Sequence, residues 1–244
     1  MIKKALLYLY TAIAWIYIVL IFAGHFCFSS LYKLFFKDKE WAVMRSAVPF
    51  LKSAFWIGRT PLLVRGAENI PKEGTFILVA NHQSYADIPI FLCAIPRKFS
   101  FLAKRELLNV PILGWDLKSQ GHVPVDRGNP KTSVKELQRL EQELNQGRSL
   151  LFFPEGTRSP DGVVAPFKKG AFLLAVRTGV QVIPCRVEGS IDVWRKNSLL
   201  IGPAKMTVTI FPPIQVQKSD KAHEKEAIEQ LMQKARSIIC SSEK

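Results

Sequence analysis

The residues best suited to chemistry sit in the stretch Asn81-His82-Gln83-Ser84-Tyr85-Ala86-Asp87. A histidine can move a proton near neutral pH, and a carboxylate can hold its ring in one tautomer. Five residues along a regular helix amount to about 500° of rotation, so the two side chains would diverge by about 140°. They meet only if His82 lies in the turn before a helix that carries Asp87 about one turn inside it. Ser84, a good N-cap residue with Asp87 three positions later, supports such a turn. A plainer reading stands beside this one: Asp87 as the acidic partner of a capping box, favoured by the helix dipole, and His82 as a polar residue at a strand end. The heptapeptide alone does not choose between them.

Three further polar clusters fall at the ends of apolar runs, and together they favour a site. In Val125-Asp126-Arg127-Gly128-Asn129, Arg127 is a fixed cation able to bind phosphate bidentately or to pair with Asp126. In Phe153-Pro154-Glu155-Gly156-Thr157-Arg158-Ser159, Gly156 permits close backbone approach, Glu155 can accept from a substrate hydroxyl, and Arg158 is a second phosphate clamp. Val182-Ile183-Pro184-Cys185-Arg186 is weak by itself. Lys104, with Arg105 beside it, adds cations after the run 99–103. These basic residues lack interleaved aromatics and any zinc or helix-turn-helix spacing. A phosphorylated small substrate or a lipid headgroup therefore fits better than nucleic acid.

The elements that must position these groups alternate. Apolar runs predict strands over 62–64, 75–80, 99–103, 121–126, 149–153, 181–187 and 204–211. Helices are predicted near 84–95, from a Ser133–Glu136 capping box to Gly147, near 169–178, and over 219–240. That order argues for an α/β fold, a mixed sheet flanked by helices on both faces. Ligands gather at the carboxyl ends of the strands in such sheets.

At 244 residues, nearly half of them hydrophobic, the chain suits one well-buried domain with an appendage. Its 34 basic residues against 20 acidic ones leave +14, which points to an anionic partner. Cys27, Cys93, Cys185 and Cys240 have no paired spacing, and no histidines are paired at ligand spacing, which argues against a disulfide framework and a metal site. From Ala5 to Tyr32, 28 residues, there is no Lys, Arg, Asp or Glu. A bilayer span needs roughly 20 apolar residues, and a signal peptide has a shorter apolar core. Basic residues flank the run on both sides, and a second apolar stretch follows through Gly58, interrupted by Pro49 and Lys52. A membrane span and a two-helix anchor within one leaflet both stay open. Residues 1–59 are read as membrane-anchoring helices and 60–244 as the globular domain.

Asn81-His82 with Asp87 matches the His-x4-Asp pattern of the glycerolipid acyltransferases. Over roughly residues 60–215 the chain resembles the 1-acylglycerol-3-phosphate acyltransferases: Val125-Asp126-Arg127, Phe153-Pro154-Glu155-Gly156-Thr157-Arg158 and Val182-Ile183-Pro184 are similar to that family's later motifs, in order. Pro124 departs from the family, which more often has a bulky apolar residue there. The resemblance implies transfer of a fatty acyl group from acyl-CoA or acyl carrier protein to the free 2-hydroxyl of lysophosphatidate, giving phosphatidate. It implies an anionic membrane surface as partner, no nucleic acid, no cofactor and no metal. His82 would take the hydroxyl proton and Asp87 would hold the ring, with no covalent enzyme intermediate. Lys104, Arg127 and Arg158 would hold the phosphate, Glu155 and Gly156 would shape the glycerol site, and Asn81 and Ser84 would support the turn. Residues 60–244 then become an acyltransferase catalytic domain on the cytoplasmic face of a membrane. Two alternatives use the same residues: acylation of glycerol 3-phosphate or another lysolipid, and a catalytically silent lipid-binding scaffold. An assay of both acceptors separates the first, and any thioester cleavage excludes the second.

Overall fold

The computed structural model describes residues 2–125 and 130–241. Its strands are β1 (Leu62–Arg65), β2 (Phe76–Ala80), β3 (Phe99–Lys104), β4 (Val123–Val125), β5 (Ser149–Phe152), β6 (Gln181–Glu188) and β7 (Met206–Ile210). They form one sheet in the order β1-β7-β6-β2-β5-β3-β4. β6 and β7 pair antiparallel and the other neighbours pair parallel, so the sheet is mixed. Every predicted strand is present, with ends displaced by no more than two residues. The helices are α1 (Ile2–Tyr32), α2 (Lys39–Ile57), α3 (Asp87–Ala94), α4 (Leu113–Ser119), α5 (Pro130–Asn145), α6 (Gly170–Thr178), α7 (Ser190–Val193) and α8 (Glu224–Cys240).

β2 is central because its run is apolar towards both faces. Phe76, Leu78 and Ala80 enter one core cluster, Ile77 and Val79 the other, and all five are fully buried. Met44 of α2 and Ile90 and Phe91 of α3 complete the first cluster. Leu140 and Leu144 of α5, Phe172 of α6, and Ile228 and Ala235 of α8 complete the second. Helices therefore cover both faces, as the alternation of elements requires.

Several helix starts depart from expectation. α3 begins at Asp87 rather than at 84, and Ser84 is not its N-cap; the capping position is Ala86, which has no side-chain oxygen to offer. α5 begins at Pro130, so Ser133 lies inside the helix rather than before it. Proline is well placed at a first helical position, where its missing N–H has no intrahelical partner. α8 begins at Glu224 rather than at 219, after a turn in which Asp220 accepts the His223 N–H at 3.0 Å. α2 runs unbroken through Pro49 and is capped by Asp38, whose side chain accepts the Trp41 N–H at 3.0 Å.

α1 is long and apolar enough to cross a membrane, and only 11% of its apolar window is buried. It nevertheless lies along the domain. Trp15 donates to the Leu199 carbonyl at 2.9 Å, Thr11 to that of Ile201 at 3.2 Å, and Tyr17 to Ser53 of α2 at 3.0 Å. Further along, His25 lies 3.0 Å from Ser46 and 3.6 Å from Asp116 of α4. Asp116 accepts from Gln120 at 2.8 Å, and Gln120 reaches His122 at 3.2 Å. Burial, reinforced by the nearby Arg148 charge, holds His122 down to about 3, so its ring is neutral. A buried polar chain thus links α1 to the loop before β4. The opposite side of α1 leaves Leu6, Leu9, Ile13, Ile16 and Leu20 exposed.

Candidate active site

β2 ends at Ala80, paired with Cys185, and the next residue keeps the pairing going with its side chain. Asn81 accepts the Val187 N–H through Oδ1 at 2.7 Å and donates through Nδ2 to the Val187 carbonyl at 2.8 Å. The backbone can then leave the sheet without orphaning the polar groups of β6. His82 follows and is held at both ends. Its N–H donates to Glu155 Oε1 at 2.7 Å, and its carbonyl accepts the Ser159 N–H at 2.7 Å.

Asp87 is fully buried and takes four hydrogen bonds. Oδ2 lies 2.6 Å from His82 Nδ1 and accepts the backbone N–H groups of Gln83 at 2.7 Å and Ser84 at 2.9 Å. Oδ1 accepts from Ser190 Oγ at 2.6 Å. The geometry expected for His82 before the helix and Asp87 within it is met, with Asp87 as the first residue of α3 rather than a turn inside it. With a carboxylate at Nδ1, that nitrogen carries the proton and Nε2 presents a lone pair. The ring stacks on Phe153 at 4.0 Å, tilted by 17°, and the side chain keeps 12% exposure. Ser84 itself bridges two loops, accepting the Ala86 N–H at 3.0 Å and donating to the Trp194 carbonyl at 2.7 Å.

Glu155 differs from the expected hydroxyl acceptor. Its two oxygens hold backbone N–H groups, those of His82 and of Ala165 (2.9 Å), so it braces the histidine against the 153–165 loop. Burial pushes its carboxyl above the usual glutamate range, opposed by those two N–H groups and by His82, and aided by the Asp87 charge. A carboxyl raised on folding stabilises the fold below its unfolded value, and that contribution fades as pH rises through its folded value.

Arg158 lies flat on Tyr85, its guanidinium carbon 3.4 Å from the ring centre, and its Nη1 is buried with no partner. Tyr85 rests on Trp194 at 4.6 Å, and Trp194 meets Trp15 of α1 edge-on at 5.1 Å. Gly156 turns with φ +75°, and a Cβ there would come within 2.8 Å of Lys168 Nζ. Lys196 donates to Thr157 Oγ1 at 3.0 Å. Two lysines thus join Arg158 around one turn, and sequence reasoning counted them only as net charge. Lys104, at the end of β3, is exposed and pairs with Glu106 at 3.0 Å. Arg127, with Asp126, lies outside the described residues. Ser190 was also missed; its signal was the Gly189-Ser190 pair just past β6. Gly189 has φ +75° and a Cβ there would sit 2.0 Å from the Lys205 carbonyl oxygen, so the turn that delivers Ser190 needs glycine.

A family model described as Acyltransferase matches residues 61–188, more than half the chain. The chain belongs to the acyltransferase family. The matched segment runs from the start of β1 to the end of β6 and holds the whole His82–Asp87–Glu155–Arg158 assembly. Two chloroplastic 1-acyl-sn-glycerol-3-phosphate acyltransferases are similar to it. The one from Brassica napus is 36% identical over 76% of this chain and 51% of its own length. The one from Arabidopsis thaliana is 37% identical over 76% of this chain and 49% of its own. The chain therefore spans about half the length of these relatives. The crystal structure of the 1-acyl-sn-glycerophosphate acyltransferase PlsC from Thermotoga maritima superposes with a TM-score of 0.76 at 31% identity, covering 100% of this chain and 99% of that one.

The bond from Ser190 to the buried Asp87 can be tested by substitution. Ser190→Ala should cost about 1.5–3 kcal/mol of stability, because it leaves a buried carboxylate oxygen without its donor. Urea unfolding in detergent measures it; an unchanged midpoint and slope would show that the Ser190 bond contributes nothing.

Proposed function

We propose that the chain transfers a fatty acyl group from a thioester donor to the free 2-hydroxyl of 1-acylglycerol 3-phosphate, giving phosphatidate. The observation that carries this reading is the 2.6 Å contact between His82 Nδ1 and Asp87, with the guanidinium of Arg158 held over Tyr85, between them in sequence. The printed names of the relatives agree with it. His82 Nε2 accepts the hydroxyl proton as the oxygen attacks the thioester carbonyl carbon. The carbon–sulfur bond then breaks, and the departing thiolate takes the proton back from the imidazolium. Two members of a catalytic triad remain, and the substrate hydroxyl stands where a serine would.

No enzyme nucleophile enters this scheme. Ser84 Oγ is engaged with Ala86 and Trp194, and Ser190 Oγ with Asp87. Cys185 is fully buried, and burial pushes its thiol far up, which keeps it neutral. The unpartnered Nη1 of Arg158, together with Lys168 and Lys196, supplies the phosphate end of the site. The thioester is a substrate, from either acyl-CoA or acyl carrier protein, and the scheme needs no cofactor or metal.

The same reading places α1 in one leaflet of a membrane, with the catalytic domain on the cytoplasmic face, where both thioester carriers are available. Its polar contacts to the domain extend from Thr11 to His25, about 21 Å of helix. A perpendicular span would drag the Leu199–Ile201 loop and its carbonyls into hydrocarbon, where such groups are costly. Lying flat, α1 gives its exposed apolar side to the acyl chains and the chain's positive charge to anionic headgroups.

Three outcomes test the chemistry and a fourth tests the anchor. His82→Ala should remove measurable transfer while the protein stays folded on the membrane. Asp87→Asn should lower kcat by about 10⁴, as a wrong tautomer does in a triad. Arg158→Ala should raise the KM for lysophosphatidate well above its effect on donor KM. Near-normal turnover in His82→Ala, or better use of glycerol 3-phosphate than of lysophosphatidate, would sink the reading. For the anchor, Lys3→Cys in a Cys27→Ser, Cys240→Ser background should react with an impermeant maleimide on the side of the vesicle carrying the catalytic domain; protection there would mean a span.

A further inference from the structure

A cleft of about 530 Å³ opens beside the catalytic loop, between the end of β6, the loop at 162–164 and the last turns of α8. Asn81 and Gln83 line it, and His82 between them does not. Apolar walls come from Val187, Ile191 and Ile239, and two guanidinium groups, those of Arg186 and Arg236, stand at it with one carboxylate, Glu188. Arg186 is tied to Glu188 at 2.6 Å and to the Ser241 carbonyl. Arg236 is exposed and makes a single long bond, 3.3 Å, to the Val164 carbonyl. Most of its donors are therefore uncommitted to protein.

Gln83 adds a second, independent sign of a ligand. It is nine-tenths buried, its Nε2 donates to the Gly162 carbonyl at 3.2 Å, and its Oε1 has no partner at all. A buried acceptor left unpaired is costly, and such groups in native proteins are satisfied by something. A ligand that brings a hydrogen-bond donor, an apolar body and an anion would meet Gln83, the apolar walls and Arg236 together. The volume is ordinary for a small-molecule site.

We propose that the cleft holds the 4′-phosphopantetheine arm of the acyl donor, with its phosphate on Arg236 and Arg186 and an amide N–H on Gln83 Oε1. The proposal rests on the thioester-donor reading above. Its strongest support is that the cleft lies apart from α1, none of whose described residues lines it. α1 packs against the core cluster of α2 and α3, and through Trp15 and Trp194 it approaches the Tyr85–Arg158 stack. The cleft opens between α8, whose Ile239 belongs to the second cluster, and the end of β6, whose Val187 belongs to the first. A membrane lipid and a water-borne carrier would then reach His82 from different sides, and neither would cross the other's path. The arm is common to coenzyme A and to acyl carrier protein, so the cleft serves either donor.

The full-length protein in detergent micelles, assayed with acyl-CoA and with acyl carrier protein as separate arms, tests this. Arg236→Ala and Gln83→Leu should each raise donor KM about tenfold, the loss of roughly one charge-assisted or buried bond, and leave acceptor KM unmoved. Free 4′-phosphopantetheine should compete with both donors in the wild type and lose most of its affinity in Arg236→Ala. Gln83→Leu removes the unpaired acceptor together with one long bond to the Gly162 carbonyl, so it should stay folded with a Tm lowered by about 2–4 °C at most. An effect on acceptor KM, or unchanged donor KM in both variants, overturns the proposal. An effect on acyl-CoA alone overturns the assignment of the arm in favour of the nucleotide. If the wild type transfers no acyl group from either donor, the function proposed above fails; binding of 4′-phosphopantetheine that Arg236→Ala abolishes would still support the cleft, and absence of binding would overturn it.

Discussion

Four hydrogen bonds onto one buried carboxylate hold this site together. Burying Asp87 without partners would cost several kcal/mol. Its two oxygens therefore gather the imidazole of His82, two successive backbone N–H groups and the hydroxyl of Ser190. Each donor comes from a different structural decision. The backbone pair requires the chain to turn sharply after β2, and Ser190 requires the glycine turn after β6. The imidazole requires His82 to be held from behind by Glu155 and Ser159. The capping role of Asp87 and its contact to histidine are one arrangement: the carboxylate that closes the loop ahead of α3 is the one that orients the ring.

The same economy appears around Arg158. A guanidinium laid on Tyr85 loses rotamer freedom before any ligand arrives, and the ring beneath it is supported by Trp194 and, beyond that, by Trp15 of α1. α1 is thus part of the wall behind the cation. Polar contacts along α1 give the helix a fixed orientation on the domain, and the apolar residues left over face outward together. A site whose acceptor is a lipid would gain from this, since three aromatic rings in contact, one pair tilted and one edge-on, join α1 to the cation.

Much of this was legible in the chain. Periodicity located every strand because a sheet buried on both faces writes itself as short apolar runs, and the five-residue spacing of His82 and Asp87 required a turn between them. Long-range partners were not legible. Lys168 and Lys196 reach the site from 80 to 120 residues away in sequence or from loops without pattern, and no local signal distinguishes them from surface residues; Ser190 had only the preceding Gly189 to mark it. Glu155 looked like a substrate-facing acid because its turn ends a strand, yet two backbone N–H groups hold its oxygens. Ser84 looked like a cap because residue type and spacing fit; its hydroxyl does accept the Ala86 N–H, but the helix starts later, at Asp87, whose carboxylate reaches back to the N–H groups of Gln83 and Ser84. Arg127 remains a reading from sequence alone.

The central claim is that His82 activates the acceptor hydroxyl for direct attack, with no acyl group passing through the protein. Rapid mixing with a radiolabelled acyl donor measures this most directly, with acid quench and recovery of the denatured chain. Without lysophosphatidate, the account predicts no label on the protein and no burst of free thiol; with it, thiol and phosphatidate should appear together at one rate. A stoichiometric acyl-protein, or thiol released ahead of phosphatidate, would contradict it.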